Sequence, residues 1–402
     1  MKRIIISVFI IFFSCNLIYS QSLNDYFLIA AENNSSLKAS YKEYEAAIQR
    51  ITQAKSLPDP QIGFGFYLSP NGSPFFQENL RISLSQTLPW FGTLKAEGDA
   101  YALEADALFQ NFINERNQLY FEVSKKYYQL VKIKQLIDIE KSNLSLLNSY
   151  KSITKVKFEN NEGTLVDILR VEMLIDEANL NIKLFNEEIE PVASTFNQLL
   201  NRDFNEEVII DEKELKNEYD AQFDIENHPQ IQSLSLLIEA EKQKSRAVKL
   251  SGMPQFSVGL DYEILQGQNN MLMPMVNFSI PIFRKKYQGA IRQSELMQES
   301  FAYQKENFKN VVEAELKNLL FNINKQDDLL KLYDNQEQKS KTSLNLLYSG
   351  YSNDGEKFEE VLRMQQQLLN YQTKKVEASV ELSTLIAELE YLLSKNSNYE
   401  EN

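Results

Sequence analysis

Four segments of the chain alternate between apolar positions and polar or glycine positions. Ile62, Phe64, Phe66 and Leu68 share one parity against Gln61, Gly63, Gly65 and Tyr67, and Leu80, Ile82 and Leu84 oppose Arg81, Ser83 and Ser85. Further on, Phe256, Val258, Leu260, Tyr262 and Ile264 oppose Ser257, Gly259, Asp261 and Glu263, and Val276, Phe278 and Ile280 oppose Asn277 and Ser279. A period of two predicts strands with one greasy face, grouped as hairpins over 61–88 and 255–281. The rest of the chain keeps a period of seven or a 3/4 spacing. Val123, Leu130, Ile137 and Leu144 form one seam, and Ile168, Ile175, Ile182, Ile189 and Phe196 a second. Val312, Leu316, Leu319, Ile323 and Leu330, then Leu362, Leu369 and Val376, continue the pattern. Such seams predict long helices packed as coiled coils.

Proline and glycine punctuate the same plan and show that it occurs twice. Pro60-Gln61 and Pro254-Gln255 open the hairpins at an offset of 194, and Leu88-Pro89 and Ile280-Pro281 close them at an offset of 192. Pro60, Pro89, Pro254 and Pro281 are therefore read as the turns between strand and helix. After each hairpin a long proline-free tract predicts a helix, over 93–160 and 285–349, each about 100 Å long at 1.5 Å per residue. Each tract ends in a polar turn containing Gly163 or Gly355, 192 apart, and return helices follow over 164–200 and 356–394. Shorter helices, over 23–56 and 229–250, enter the hairpins and stack end to end with the return helices beside the long ones. The domain plan is a first repeat over 21–210, an acidic equatorial linker over 201–228, a second repeat over 229–395 and a polar tail over 396–402. Val208-Ile209-Ile210 is the one extended candidate in the linker.

Composition narrows the class. Lys2 and Arg3 precede an apolar run from Ile4 to Phe13, which predicts a secretory signal peptide over 1–20 and an exported chain. Cys15, the one cysteine, lies inside that segment, as a lipidation site or as part of a leader cut near Ser20. A formal net charge of −14 opposes a nucleic-acid partner. A single histidine, His228, rules out a His-based catalytic triad or a histidine metal cluster, so no enzyme, no metal centre and no cofactor are expected. His228 reads as a surface residue at a helix start. Met271, Met273 and Met275 alternate on the parity of Asn277 and Ser279, as soft ligands suited to Cu(I) or as apolar filler in an outer loop.

The hairpins permit two readings: a sheet packed on a soluble core, or a transmembrane barrel wall with lipid outside and water inside. Export and the aromatic residues near strand ends (Tyr67, Phe75, Phe76, Trp90, Phe91 and Phe283) favour the membrane. Four strands close no barrel and open edges are untenable in lipid, so several chains must pool their strands.

The signal peptide, the twofold repeat, Leu57-Pro58-Asp59-Pro60-Gln61, Ser85-Gln86-Thr87-Leu88-Pro89-Trp90-Phe91-Gly92 and the tip Gly163-Thr164-Leu165-Val166-Asp167-Ile168-Leu169-Arg170 resemble a TolC-type outer-membrane efflux protein. Asn33-Asn34-Ser35-Ser36-Leu37 and Asn227-His228-Pro229-Gln230-Ile231 resemble that family's repeated helix starts, and the compact Leu-Pro-Trp-Phe-Gly exit its cation-efflux (CusC/CzcC-like) branch. The resemblance covers essentially the whole chain after the leader. It implies a fold that is mainly α with a membrane β-barrel: a homotrimer forming a 12-stranded barrel, with a helical tunnel reaching into the periplasm of a Gram-negative bacterium. It implies a periplasmic adaptor and an inner-membrane pump as partners. The function implied is the exit duct of a tripartite efflux or type I secretion system.

The family places acids at the tip. Asp167 matches the first. Glu360 matches the second, with Glu359 a rival one residue away. Arg170 and Arg363 stand where a further acid would fall, and Tyr351 and Arg363 are candidates to latch the closed tip. In a trimer each acid would become a ring that attracts cations. The alternative function is an exported coiled-coil scaffold or adhesin whose hairpins pack on protein.

Overall fold

The computed structural model describes residues 22–66, 80–211, 215–219, 224–264, 269–353 and 357–394. The leader with Cys15, the aromatic residues Tyr67, Phe75 and Phe76, the tip glycine Gly355 and the polar tail lie outside them. The element order is α1 (Leu23–Asn33), α2 (Ser35–Lys55), β1 (Gln61–Phe66), β2 (Leu80–Leu88), α3 (Thr93–Glu159), α4 (Leu165–Leu199), α5 (Pro229–Ser251), β3 (Gln255–Ile264), β4 (Met271–Ser279), α6 (Lys285–Asn353) and α7 (Phe358–Leu392).

The strands form one antiparallel sheet in the order β1-β2-β3-β4. The central β2–β3 pairing sets Leu84 opposite Leu260 and Ser83 opposite Asp261, so both hairpins turn their greasy parity the same way. Pro60 immediately precedes β1 and Pro254 β3, Pro89 follows β2, and Pro281 lies between β4 and α6. Gly92 then caps α3 in the left-handed region, at φ 84°, a conformation glycine adopts without penalty.

The long helices are the frame. α3 packs against α2, α4, α5 and α7, and α6 against α5 and α7. The layer therefore runs α2/α4, α3, α5/α7, α6, and its two margins, α2/α4 and α6, have helices on one side only. Val123, Leu130 and Ile137 of the first predicted seam are 0–5% exposed, and Val312, Leu316, Leu319 and Ile323 are buried as well. Ile168, Ile175, Ile182 and Ile189 of the second, by contrast, are half-buried, and only Phe196 in that seam is fully covered. An aromatic core holds the middle, with Phe27 stacked on Tyr120 at 4.7 Å and Tyr26 edge-on to Phe196 at 4.9 Å.

Three expectations need correction. The helix expected over 23–56 breaks at Asn34. Its side-chain oxygen caps α2 by accepting from the Ser36 and Leu37 backbone amides, and its Nδ2 donates to the Leu199 carbonyl at 2.9 Å. The extended candidate at Val208-Ile209-Ile210 joins no strand. Tyrosine hydroxyls satisfy its backbone instead: Tyr26 Oη accepts from Ile209 N at 2.9 Å and Tyr127 Oη from Asp211 N at 2.8 Å.

His228 is not on the surface. It is 3% exposed, its ring lies 5.0 Å from Phe308, and its Nδ1 accepts from Gln230 N to cap α5. Burial holds its pKa down at about 4, whereas an unfolded histidine titrates near 6.5. The unfolded chain thus binds the extra proton first. The stability His228 contributes is complete above about pH 6.5 and is lost as pH falls towards 4. The parent's thermal midpoint should fall between about pH 6.5 and 4.5 in scanning calorimetry, and a His228→Asn variant, which keeps a good capping side chain, should flatten that fall.

Candidate functional site

The tip is built by two reversals. At the first, Asn161 takes the left-handed conformation at φ 62°, and Glu162 N closes back on the Lys157 carbonyl at 2.8 Å. Gly163 is needed for space rather than for a positive φ, because a Cβ there would stand 3.2 Å from Lys157 Cβ and 3.3 Å from Phe158 N. α4 then starts with a reciprocal cap: Thr164 Oγ1 accepts from Asp167 N at 3.2 Å while Asp167 Oδ2 accepts from Thr164 Oγ1 at 2.7 Å. Asp167 is therefore fixed in place by its own helix start.

Across from it, Tyr351 is 5% exposed and its hydroxyl is buried without a partner among the described residues. Burial raises its pKa, and the nearby Asp167 carboxylate adds to the rise. The ring lies 4.9 Å from Phe358, in a core that also holds Tyr150, Val171 and Val361. Lys157 was not singled out by the sequence. Its Nζ donates to the Tyr351 carbonyl at 2.6 Å and lies 4.4 Å from the centre of the Tyr351 ring, which ties the end of α3 to the end of α6.

The remaining candidates gather in a second cluster. Arg170 Nη1 donates to Glu359 Oε2 at 3.2 Å, joining α4 to α7, and Arg363 pairs with Glu360 on its own helix. Arg170, Glu359 and Arg363 line a cleft of about 560 Å³ whose apolar wall includes Met173, Leu174 and Leu362. Each of the two glutamates considered for the second acid thus has its own arginine. The structure brings Asp167 towards Tyr351, and Glu359 and Glu360 towards the two arginines, and among the described residues it forms no single all-acid site within one chain.

At the other end, the sheet divides its residues by parity. Ile62, Phe64, Phe66, Val276 and Phe278 are 59–73% exposed on one face, and Phe91, Ile280, Ile282 and Phe283 below it are 69–85% exposed. On the other face Asp261 is completely buried, paired with Arg81. Met271 and Met273 stand opposite Glu263 and Asp261, which puts the methionine row on this polar face. Arg81 Nη2 lies 3.6 Å from Met275 Sδ, so the thioether beside the acidic pair already faces a fixed cation. Among the described residues no helix is long and apolar enough to cross a membrane.

No protein-family model and no curated relative matches the chain. Solved structures do. The outer membrane protein VceC from Vibrio cholerae is 14% identical, with 92% of this chain covering 95% of that one at a TM-score of 0.74. CusC, described for its transmembrane channel formation, is 14% identical over 92% of this chain and 91% of its own, with a TM-score of 0.77. The open MtrE outer membrane channel of Neisseria gonorrhoeae is 15% identical over 92% and 88%, with a TM-score of 0.72. The chain has the mainly helical, four-stranded fold of these outer-membrane channels.

Proposed function

We propose that the chain is one third of an outer-membrane export duct, a homotrimer that pools three sheets into a 12-stranded barrel and three helical layers into a periplasmic tunnel. The observation that carries this reading is a sheet with one greasy face bare, two unpaired edges at β1 and β4, and a helical layer with two bare margins. One association satisfies all of these at once. β1 would pair with a neighbour's β4, and α4 with a neighbour's α6. The margins have the composition for it: Leu169, Met173, Leu180 and Leu184 are 49–71% exposed on α4, and Tyr303, Phe321, Leu332 and Leu346 are 48–70% exposed on α6. On α4 the spacings of 4, 7 and 4 are those of a coiled-coil seam. On α6 the spacings of 18, 11 and 14 are close to whole numbers of helical turns, which keeps those residues on one face. The recurring element order supports an origin by duplication, with repeats over 21–210 and 229–395.

The duct would act passively, joined to a periplasmic adaptor and an inner-membrane pump in an efflux or secretion assembly of a Gram-negative bacterium. Its cargo would be small molecules or metal cations. In the trimer Asp167 and Glu360 would form acid rings at the tip. Purified protein should conduct in planar bilayers with a preference for cations, and Asp167→Asn with Glu360→Gln should weaken that preference. An unchanged selectivity would remove both residues from the gate. A chain that purified from the periplasm as a monomer without detergent would instead support a coiled-coil scaffold.

A further inference from the structure

A buried polar cluster crosses α3, α4 and α7 next to the tip cleft, with which its cavity shares Leu174, Glu177 and Gln366. Glu140 is 8% exposed. Its Oε2 accepts from Asn143 Nδ2 at 3.2 Å and its Oε1 from Asn181 Nδ2 at 3.0 Å. A carboxylate only accepts, so it sets the direction of the whole chain of amides. Asn143 turns its nitrogen to Glu140 and its oxygen to Gln365 Nε2, at 3.0 Å. Gln365 must then present its carbonyl oxygen outward. That oxygen is buried without a partner, in a residue only 4% exposed. The cluster lines a cavity of about 300 Å³, together with Glu177 and Thr373. Among the described residues no lysine or arginine pairs with Glu140.

A second cluster, on α6 and α7, shows what is missing around Glu140. There Lys375 Nζ donates to Asp334 Oδ1 at 2.5 Å and to Glu337 Oε2 at 3.0 Å, and Lys341 lies 2.7 Å from Glu337. Burial works to raise the Glu337 pKa, but hydrogen bonds from Lys341, Lys375 and Gln372 outweigh it and hold it at about 2. At Glu140 the residue reaching in from the return helix is the neutral Asn181, so the acid has no counter-charge there. An unpaired carboxylate is costly to bury, and the partnerless Gln365 carbonyl oxygen beside it asks for a positive ligand.

We propose that the Glu140 cavity binds a hard metal cation of the calcium class, held by oxygens of Glu140, Glu177 and Gln365 and linking α3, α4 and α7. Hard divalent cations take oxygen donors of this kind in adaptable geometry. The site stands independently of the channel reading, since it lies within one chain.

The test uses the full chain in detergent, stripped of metal and titrated with calcium chloride, with magnesium chloride and potassium chloride as parallel arms. The thermal midpoint should rise by about 3 °C or more and saturate with calcium. Glu140→Gln should not respond. Asn181→Lys, which plants the ammonium found in the second half, should raise the midpoint in metal-free buffer and abolish the calcium response. Terbium luminescence, displaced by calcium in the parent and lost in both variants, gives a readout that does not depend on stability. The proposal is overturned if the parent shows neither response, if Asn181→Lys responds as the parent does, or if potassium chloride at equal ionic strength reproduces the shift. The cavity would then be a water-filled polar layer.

Discussion

Arginine at Leu260 should keep the protein out of the outer membrane. Leu260 lies mid-strand on the bare greasy face, between Leu84 on β2 and Pro274 on β4. Near the bilayer midplane an arginine on a barrel's lipid face costs about 2–4 kcal/mol, and a trimer would carry three. The sum reaches the whole stability of an ordinary domain, about 5–15 kcal/mol. The matched control is Ser85→Arg, one residue along β2 from Leu84 and on the polar face opposite Gly259. It should insert normally and alter conductance, because an added charge on a lumen face changes selectivity rather than partition. Membrane fractionation with heat-modifiability of the barrel on gels checks both. Normal assembly of Leu260→Arg alongside failure of Ser85→Arg would assign the faces the other way round and end the barrel reading.

That contrast shows how much of the fold the sequence carries. Strand parity and helical seams depend on neighbours two, three, four or seven residues apart, so a single chain displays them directly. The β2–β3 pairing joins segments some 170 residues apart in the chain. The sequence suggests it only through the repeat, since two equal hairpins in one sheet are the simplest use of a duplicated unit. What stayed hidden is long-range and polar. Lys157 resembles any solvated lysine near a helix end until the Tyr351 carbonyl, 194 residues away, is brought to it. His228 was read outward because its own neighbours are polar, whereas it is Phe308 on α6 that buries it. Asp167 was singled out through the family resemblance, and its spacing from Thr164 also marks the capping box that starts α4. The tyrosine hydroxyls that hold 208–211 have no local signal at all. The carboxylate without a counter-charge at Glu140 becomes visible only when α4 is packed beside α3 and brings Asn181 to it.

Lys157→Met combined with Arg170→Glu should loosen the tip and raise the open probability of the proposed trimer. The two side chains make different cross-ties. Lys157 joins the end of α3 to the end of α6 through a charge-assisted hydrogen bond, and such bonds contribute about 1.5–3 kcal/mol. Arg170 joins α4 to α7 through Glu359, where both side chains are well exposed, so that pair contributes about 1 kcal/mol or less. Reversing its sign adds a repulsion of similar size. Removing both ties shifts a closed–open equilibrium by about 3 kcal/mol, on the order of a hundredfold in population. Lys157→Met alone should account for most of the shift, and Arg170→Glu alone for a small, salt-sensitive part. Planar-bilayer recordings at low and high salt resolve the two contributions, and thermal midpoints of the three variants show whether the tip opens or the helices unfold. An open probability that stays at the parent level in the double variant would mean that the tip is held between subunits, through the bare margins of α4 and α6, rather than within each chain.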